Sequence, residues 1–215
     1  MDDLPKFLRA IFLAAVWITG CLLGGCAGPS TRVLPQESKE VMVPKEELPV
    51  LEESNPFYLQ EELEILAGTP RAGGSEEERE AIRYIRQLLE DYGYDTSLQQ
   101  FSSPSGAPET DVSGINVVAV RETSKPEADI VIVSACHDTL PWSPGASESA
   151  SGVAALLETA RLLSRMPTDT ELRFVSFSRY SKGQTGSRYY VESLREGERH
   201  RVIGAVHLGG LGWSI

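Results

Sequence analysis

Histidine and cysteine are scarce in this chain, with three of each among 215 residues. The cysteines are Cys21, Cys26 and Cys136, and two of them fall in the first 26 residues. No Cys-x-x-Cys pair and no even-numbered framework occurs, so neither a structural zinc knuckle nor a disulfide scaffold is supported. The histidines are His137, His200 and His207, and a multi-histidine metal site would need nearly all of them. Positive charge is also short: 20 Lys and Arg stand against 31 Asp and Glu, a net charge of −11. Phosphate backbones repel such a chain, and no basic cluster interrupts the acidity, so no nucleic-acid partner is expected. A long apolar run is missing as well. The apolar stretch at residues 10–23 is too short to span a bilayer core of about 30 Å comfortably.

What is present fits an ordinary globular domain behind a leader. Hydrophobic residues make up 41% and charged residues 24%, which is normal for a packed core with a solvated surface. Residues 1–9 are weakly positive, and the apolar run that follows has the length of a signal-peptide core. Leu22-Leu23-Gly24-Gly25-Cys26 then resembles a bacterial lipobox, in which the cysteine is acylated and the preceding segment removed. Ile18-Thr19-Gly20-Cys21 is a second match, and Cys26 is preferred because Leu stands three residues before it. Two or three acyl chains on one cysteine make a stable anchor. The expected organisation is a lipoprotein signal peptide at 1–25, a lipidated cysteine with an acidic, proline-bearing tether at 26–55, and a domain at 56–215. The expected location is the extracytoplasmic side of a bacterial cell envelope. About 160 residues remain for the domain, enough for a single core.

Within that domain strands and helices alternate. Residues 56–66 read as a helix. Ser75 with Glu78 predicts a capping box opening a second helix, whose apolar residues Ile82, Ile85, Leu89 and Tyr92 recur at helical spacing until Gly93. Strands are expected at 97–101, 115–120, 130–135, 172–178 and 201–208. The run at 130–135 is continuously β-branched, as in a strand buried on both faces. Helices are expected at 150–163 and 187–194, with Gly152, Ala154 and Ala155 allowing the first to pack closely on a sheet. This order predicts right-handed crossovers and a largely parallel sheet with helices on both faces. Ligands in such folds sit beyond the carboxyl ends of the strands, which here means residues 136–148, 179–183 and 207–212.

Several motifs at those places resemble one family. They are Gly68-Thr69-Pro70-Arg71, Gly114-Ile115-Asn116-Val117-Val118-Ala119, Cys136-His137-Asp138-Thr139, Ser143-Pro144-Gly145-Ala146, Ala150-Ser151-Gly152-Val153-Ala154, Phe174-Val175-Ser176-Phe177 and Gly186-Ser187-Arg188-Tyr189-Tyr190. Over residues 68–212 the chain resembles metallopeptidase family twenty-eight, the di-zinc aminopeptidases with glutamate carboxypeptidase and glutaminyl cyclase relatives. The resemblance implies an α/β three-layer sandwich with a mostly parallel mixed sheet. It also implies a C-terminally incomplete domain, because the family's last histidine ligand would fall beyond Ile215.

Carried over residue by residue, the resemblance implies a depleted metal site. The family's first strand ends in a zinc-binding His, then any residue, then an Asp that orients that His. Here those positions hold Cys136 and Asp138, with His137 one residue late and on the opposite face of the strand. The bridging Asp becomes Glu148. The adjacent pair of glutamates, general base and ligand, becomes Tyr180 and Ser181. The next ligand falls at Gly209, with His207 two residues earlier. The remaining first-coordination candidates are Cys136 or His137, and Glu148. His207 reads as the polar end of a strand and His200 as surface. The resemblance therefore implies a catalytically silent homologue that binds peptides or a protein partner in the cleft, with no bound cofactor, or zinc if any. One alternative is an altered metal-dependent peptidase using Cys136, His137 and Glu148. The other is a fragment of a decayed or incompletely recorded peptidase gene.

Overall fold

The structure, a computed structural model, describes residues 52–103 and 112–211. The expected leader, Cys21, Cys26 and most of the expected tether lie outside the described residues. Five helices are described: α1 (Pro56–Leu66), α2 (Glu76–Asp91), α3 (Ser151–Ser164), α4 (Thr185–Ser193) and α5 (Glu196–Arg201). They surround one sheet of β1 (Asp95–Ser103), β2 (Val112–Arg121), β3 (Ile130–Cys136), β4 (Glu171–Phe177) and β5 (Val202–Leu208). The strand order is β1-β2-β4-β3-β5. β4, β3 and β5 pair in parallel, whereas β2 pairs antiparallel with both β1 and β4. Four strands thus run one way and only β2 is reversed, which is the mostly parallel mixed sheet expected. Among the described residues no helix is long and apolar enough to cross a membrane.

The core has two layers because the central strands carry apolar side chains on both faces. Every residue of β3 and of β4 is buried. On one face Val118, Ile132, Val175 and Phe177 pack with Tyr190 of α4 and with Leu194. On the other, Phe174 meets Tyr94 edge-on at 5.1 Å, and the Tyr94 hydroxyl donates to the Ala160 carbonyl of α3. α2 turns Ile82, Ile85 and Leu89 into the core, as its apolar period requires. Gly152 lets α3 approach the end of β5: a Cβ there would lie 2.2 Å from the Leu208 carbonyl oxygen.

Three details differ from the sequence reading. The last residues of the expected tether lie against α3. Glu52 pairs with Arg161 at 3.3 Å, the Asn55 N–H donates to Glu158, and the Asn55 side chain caps α1. The six-residue α5, too short and polar to show a period, was not expected. The capping box at α2 is half formed. The Ser75 hydroxyl accepts from the Glu78 N–H at 3.1 Å, but the Glu78 carboxylate turns into the domain instead of back to Ser75.

Candidate functional site

All three segments expected beyond the strand ends meet in one cleft of about 410 Å3, lined by Cys136, Asp138, Leu140, Glu148, Tyr180, Ser181, His207 and Gly209 among others. β3 delivers Cys136 to its floor and β5 delivers His207 beside it. The parallel register sets Ser134 opposite His207, so Ser134, Cys136 and His207 share a face. The His207 Nε2 lies 4.0 Å from the Cys136 sulfur, and its Nδ1 lies 3.1 Å from the Ser134 hydroxyl. Sequence reasoning gave His207 no site role. Its signal was only its parity on the strand, and which strand β5 would join was not written locally.

The loop after β3 is shaped by backbone chemistry. Gly145 sits at φ 64°, where a side chain would be strained, and a Cβ would lie 2.6 Å from Thr139. Its carbonyl accepts from both Ser149 and Ala150, making one wide turn, Ala146–Ala150, ahead of α3. Such π-type turns tend to occur at functional sites. Glu148 stands on this turn, exposed to the cleft. Gly210 N–H donates to the Glu148 carbonyl and Leu211 N–H to the Ser151 hydroxyl, pinning the end of β5 as the opposite wall.

Arg71 holds this loop from below. Its buried guanidinium donates to the carbonyls of His137, Thr69 and Pro144 and to the Ser149 hydroxyl. Burial pulls it down to about 10, partly countered by Asp138. Asp138 accepts from the Tyr180 N–H at 3.0 Å, while burial pushes its carboxyl up. Burial, and then the charge of Asp138, push the Cys136 thiol up to about 12. Burial also lowers His207. Perturbed titrating groups gathered in one cleft are a physical mark of a functional site.

His137 is the main correction. It is wholly buried and faces α2, away from the cleft. Its Nδ1 lies 2.9 Å from the Ser176 hydroxyl and its Nε2 lies 3.5 Å from the Glu78 carboxylate. Burial would raise Glu78, but hydrogen bonding and charge from His137, with the Gly74 N–H and the Ser178 hydroxyl, hold it below the usual carboxylate range. The structure therefore separates His137 from Cys136 and Glu148. Adjacent residues on a strand point to opposite faces, and Asp138 stays on the cleft side. His200 is exposed near Glu196, as expected.

Comparison with known proteins decides the family. The sequence profile described as Peptidase family M28 matches residues 116–214. The domain belongs to peptidase family M28. Aminopeptidase YwaD of Bacillus subtilis is 38% identical over 108 residues, which is 49% of this chain and 24% of that protein. A Mycobacterium tuberculosis protein named "Probable lipoprotein aminopeptidase LpqL" is 41% identical over 80 residues, 37% of this chain and 16% of that one. The chain thus spans at most a quarter of the length of these two relatives. In structure, the M28 domain resembles BSAP, a zinc aminopeptidase from Bacillus subtilis, with a TM-score of 0.67 at 17% identity, covering 74% of this chain and 69% of that one. That likeness establishes the fold.

A pair of zinc ions, as the family implies, does not fit the residues described. Among them no three His, Cys, Asp or Glu side chains lie together as a metal site. The positions expected for a base and a ligand present the phenol of Tyr180 and the hydroxyl of Ser181, both exposed at the rim. Gly209 presents no side chain. Catalytic zinc needs three protein ligands per ion plus an activated water. Cys136, Asp138, Glu148 and His207 are spread around the cleft with only the Cys136–His207 pair in contact.

Proposed function

We propose that this M28 domain holds peptides in its cleft without cleaving them, and that a lipid on Cys26 displays it on the extracytoplasmic side of the cell envelope. One observation carries the first part. The cleft keeps carboxylates at Asp138 and Glu148 but has non-carboxylate side chains at Tyr180 and Ser181. Carboxylates attract an N-terminal ammonium, and Leu140 and the Tyr180 ring offer an apolar wall to its side chain. Neither a phenol nor an alcohol takes a proton from water at neutral pH in the ordinary way, so capture outlasts chemistry. Calorimetry tests it. Short peptides with a free amino terminus should bind, N-acetylation or Glu148→Gln should weaken them, and no chromophore should be released from aminoacyl substrates. No heat with any free-amine peptide up to about 1 mM would end the reading.

The second part is supported by the lipobox-like sequence at Cys26 and by the name of the LpqL relative, a probable lipoprotein aminopeptidase. Cys26→Ser should abolish metabolic labelling with fatty acid and leave uncleaved precursor, since acylation needs the thiol. Labelling that survives this change and disappears in Cys21→Ser would move the anchor to Cys21.

A further inference from the structure

We propose that Cys136 and His207 form a low-coordinate site for a soft monovalent cation, the cuprous ion, at the floor of the cleft. The proposal does not rest on peptide capture, although the pair lies in the same cleft. Its geometry is set by the β3–β5 pairing. The Ser134 hydroxyl donates to the Val206 carbonyl and so accepts from the His207 Nδ1–H. That arrangement leaves Nε2 unprotonated, its lone pair turned to the Cys136 sulfur at 4.0 Å. A partner that fixes the second ring nitrogen in this way is what orients imidazole ligands in metal sites generally. Gly209 keeps the approach open, because a Cβ there would already stand 3.4 Å from Nε2.

Distance admits an ion between the pair, and ligand number and softness select which one. Taking zinc as the scale, bonds of about 2.0 Å to imidazole and 2.3 Å to thiolate span about 4.3 Å when collinear and about 3.5 Å at a tetrahedral angle. The observed gap of 4.0 Å lies between the two, so one ion can reach both atoms. Structural zinc takes four ligands, and the described residues do not bring a third His, Cys, Asp or Glu to this pair. Thiolate ligands favour soft ions such as Cu(I). Binding replaces the thiol proton, which leaves to solvent, so one proton is released per ion and the sulfur–copper unit is neutral.

The test uses the purified full chain carrying Cys21→Ser and Cys26→Ser, so that Cys136 is the only thiol. Anaerobic titration with Cu(I) against a chromogenic Cu(I) chelator should give one equivalent per chain. Absorption edge spectroscopy should find one sulfur and one nitrogen around it. Cys136→Ser should abolish retention. Ser134→Ala, which frees the ring, should weaken it about tenfold to a hundredfold. His207→Gln should weaken it further, and circular dichroism confirms that each variant is folded. Failure to compete with the chelator would overturn the proposal. So would retention unchanged in His207→Gln, which would mean a lone sulfur, or zinc held one-to-one as tightly as Cu(I).

Discussion

Replacing Arg71 with Ala should lower the stability of the domain by about 3–5 kcal/mol, a large part of the roughly 5–15 kcal/mol that holds a domain folded. The side chain is 2% exposed and makes four hydrogen bonds to groups brought together from three separate stretches of chain. A bond from a charged donor contributes about 1.5–3 kcal/mol, and these four are not additive because they share one guanidinium. Their loss leaves the carbonyls of His137 and Pro144 and the Ser149 hydroxyl short of a donor at the base of the cleft. Lys should not substitute, since a single ammonium cannot match the planar fork that reaches all of them. Urea unfolding of Arg71→Ala and Arg71→Lys decides it. A midpoint shift equivalent to less than about 1 kcal/mol in both would show that the loop is held by other contacts.

Under the peptide-holding reading, turnover of aminoacyl chromogenic substrates should stay at background with or without added zinc. Removing a general base alone costs about 10²–10⁴-fold. Losing the metal ligands removes the activation of water as well. Restoring carboxylates through Tyr180→Glu with Ser181→Glu should not recover activity. Gly209 still offers no ligand, and His137 still faces α2 rather than the cleft. The restored pair would sit at an exposed rim with nothing to anchor a metal opposite it. Chelator-sensitive turnover by the unmodified chain, abolished by Glu148→Ala, would defeat this reading and make the domain a hydrolase of altered ligand set.

Much of the architecture is legible in the sequence. The β-branched run of β3 predicted burial on both faces, and the apolar period of α2 predicted the side it turns inward. Alternation of strand and helix placed the site beyond the strand ends, where the cleft indeed lies. These features are local: they depend on periods of about two and 3.6 residues that any short window displays. The family motifs place Tyr180, Ser181 and Gly209 where the resemblance implies ligating or basic groups.

Tertiary structure decided what depends on groups far apart in sequence. Glu78 looked like the second half of a capping box, but Ser178 and His137, brought across from just past the ends of β4 and β3, offer it partners in the core. That same contact fixed His137 on the buried face and removed it from the site. His207 looked like the polar end of a strand until the β3–β5 register laid it against Cys136, 71 residues earlier in the chain. The sequence by itself determined the five strands and the longer helices, the sheet class and the address of the cleft, because short-range periodicity and crossover handedness are encoded locally. Which side chains face each other inside that cleft was decided only by strand order and register, because those follow from packing the whole sheet at once.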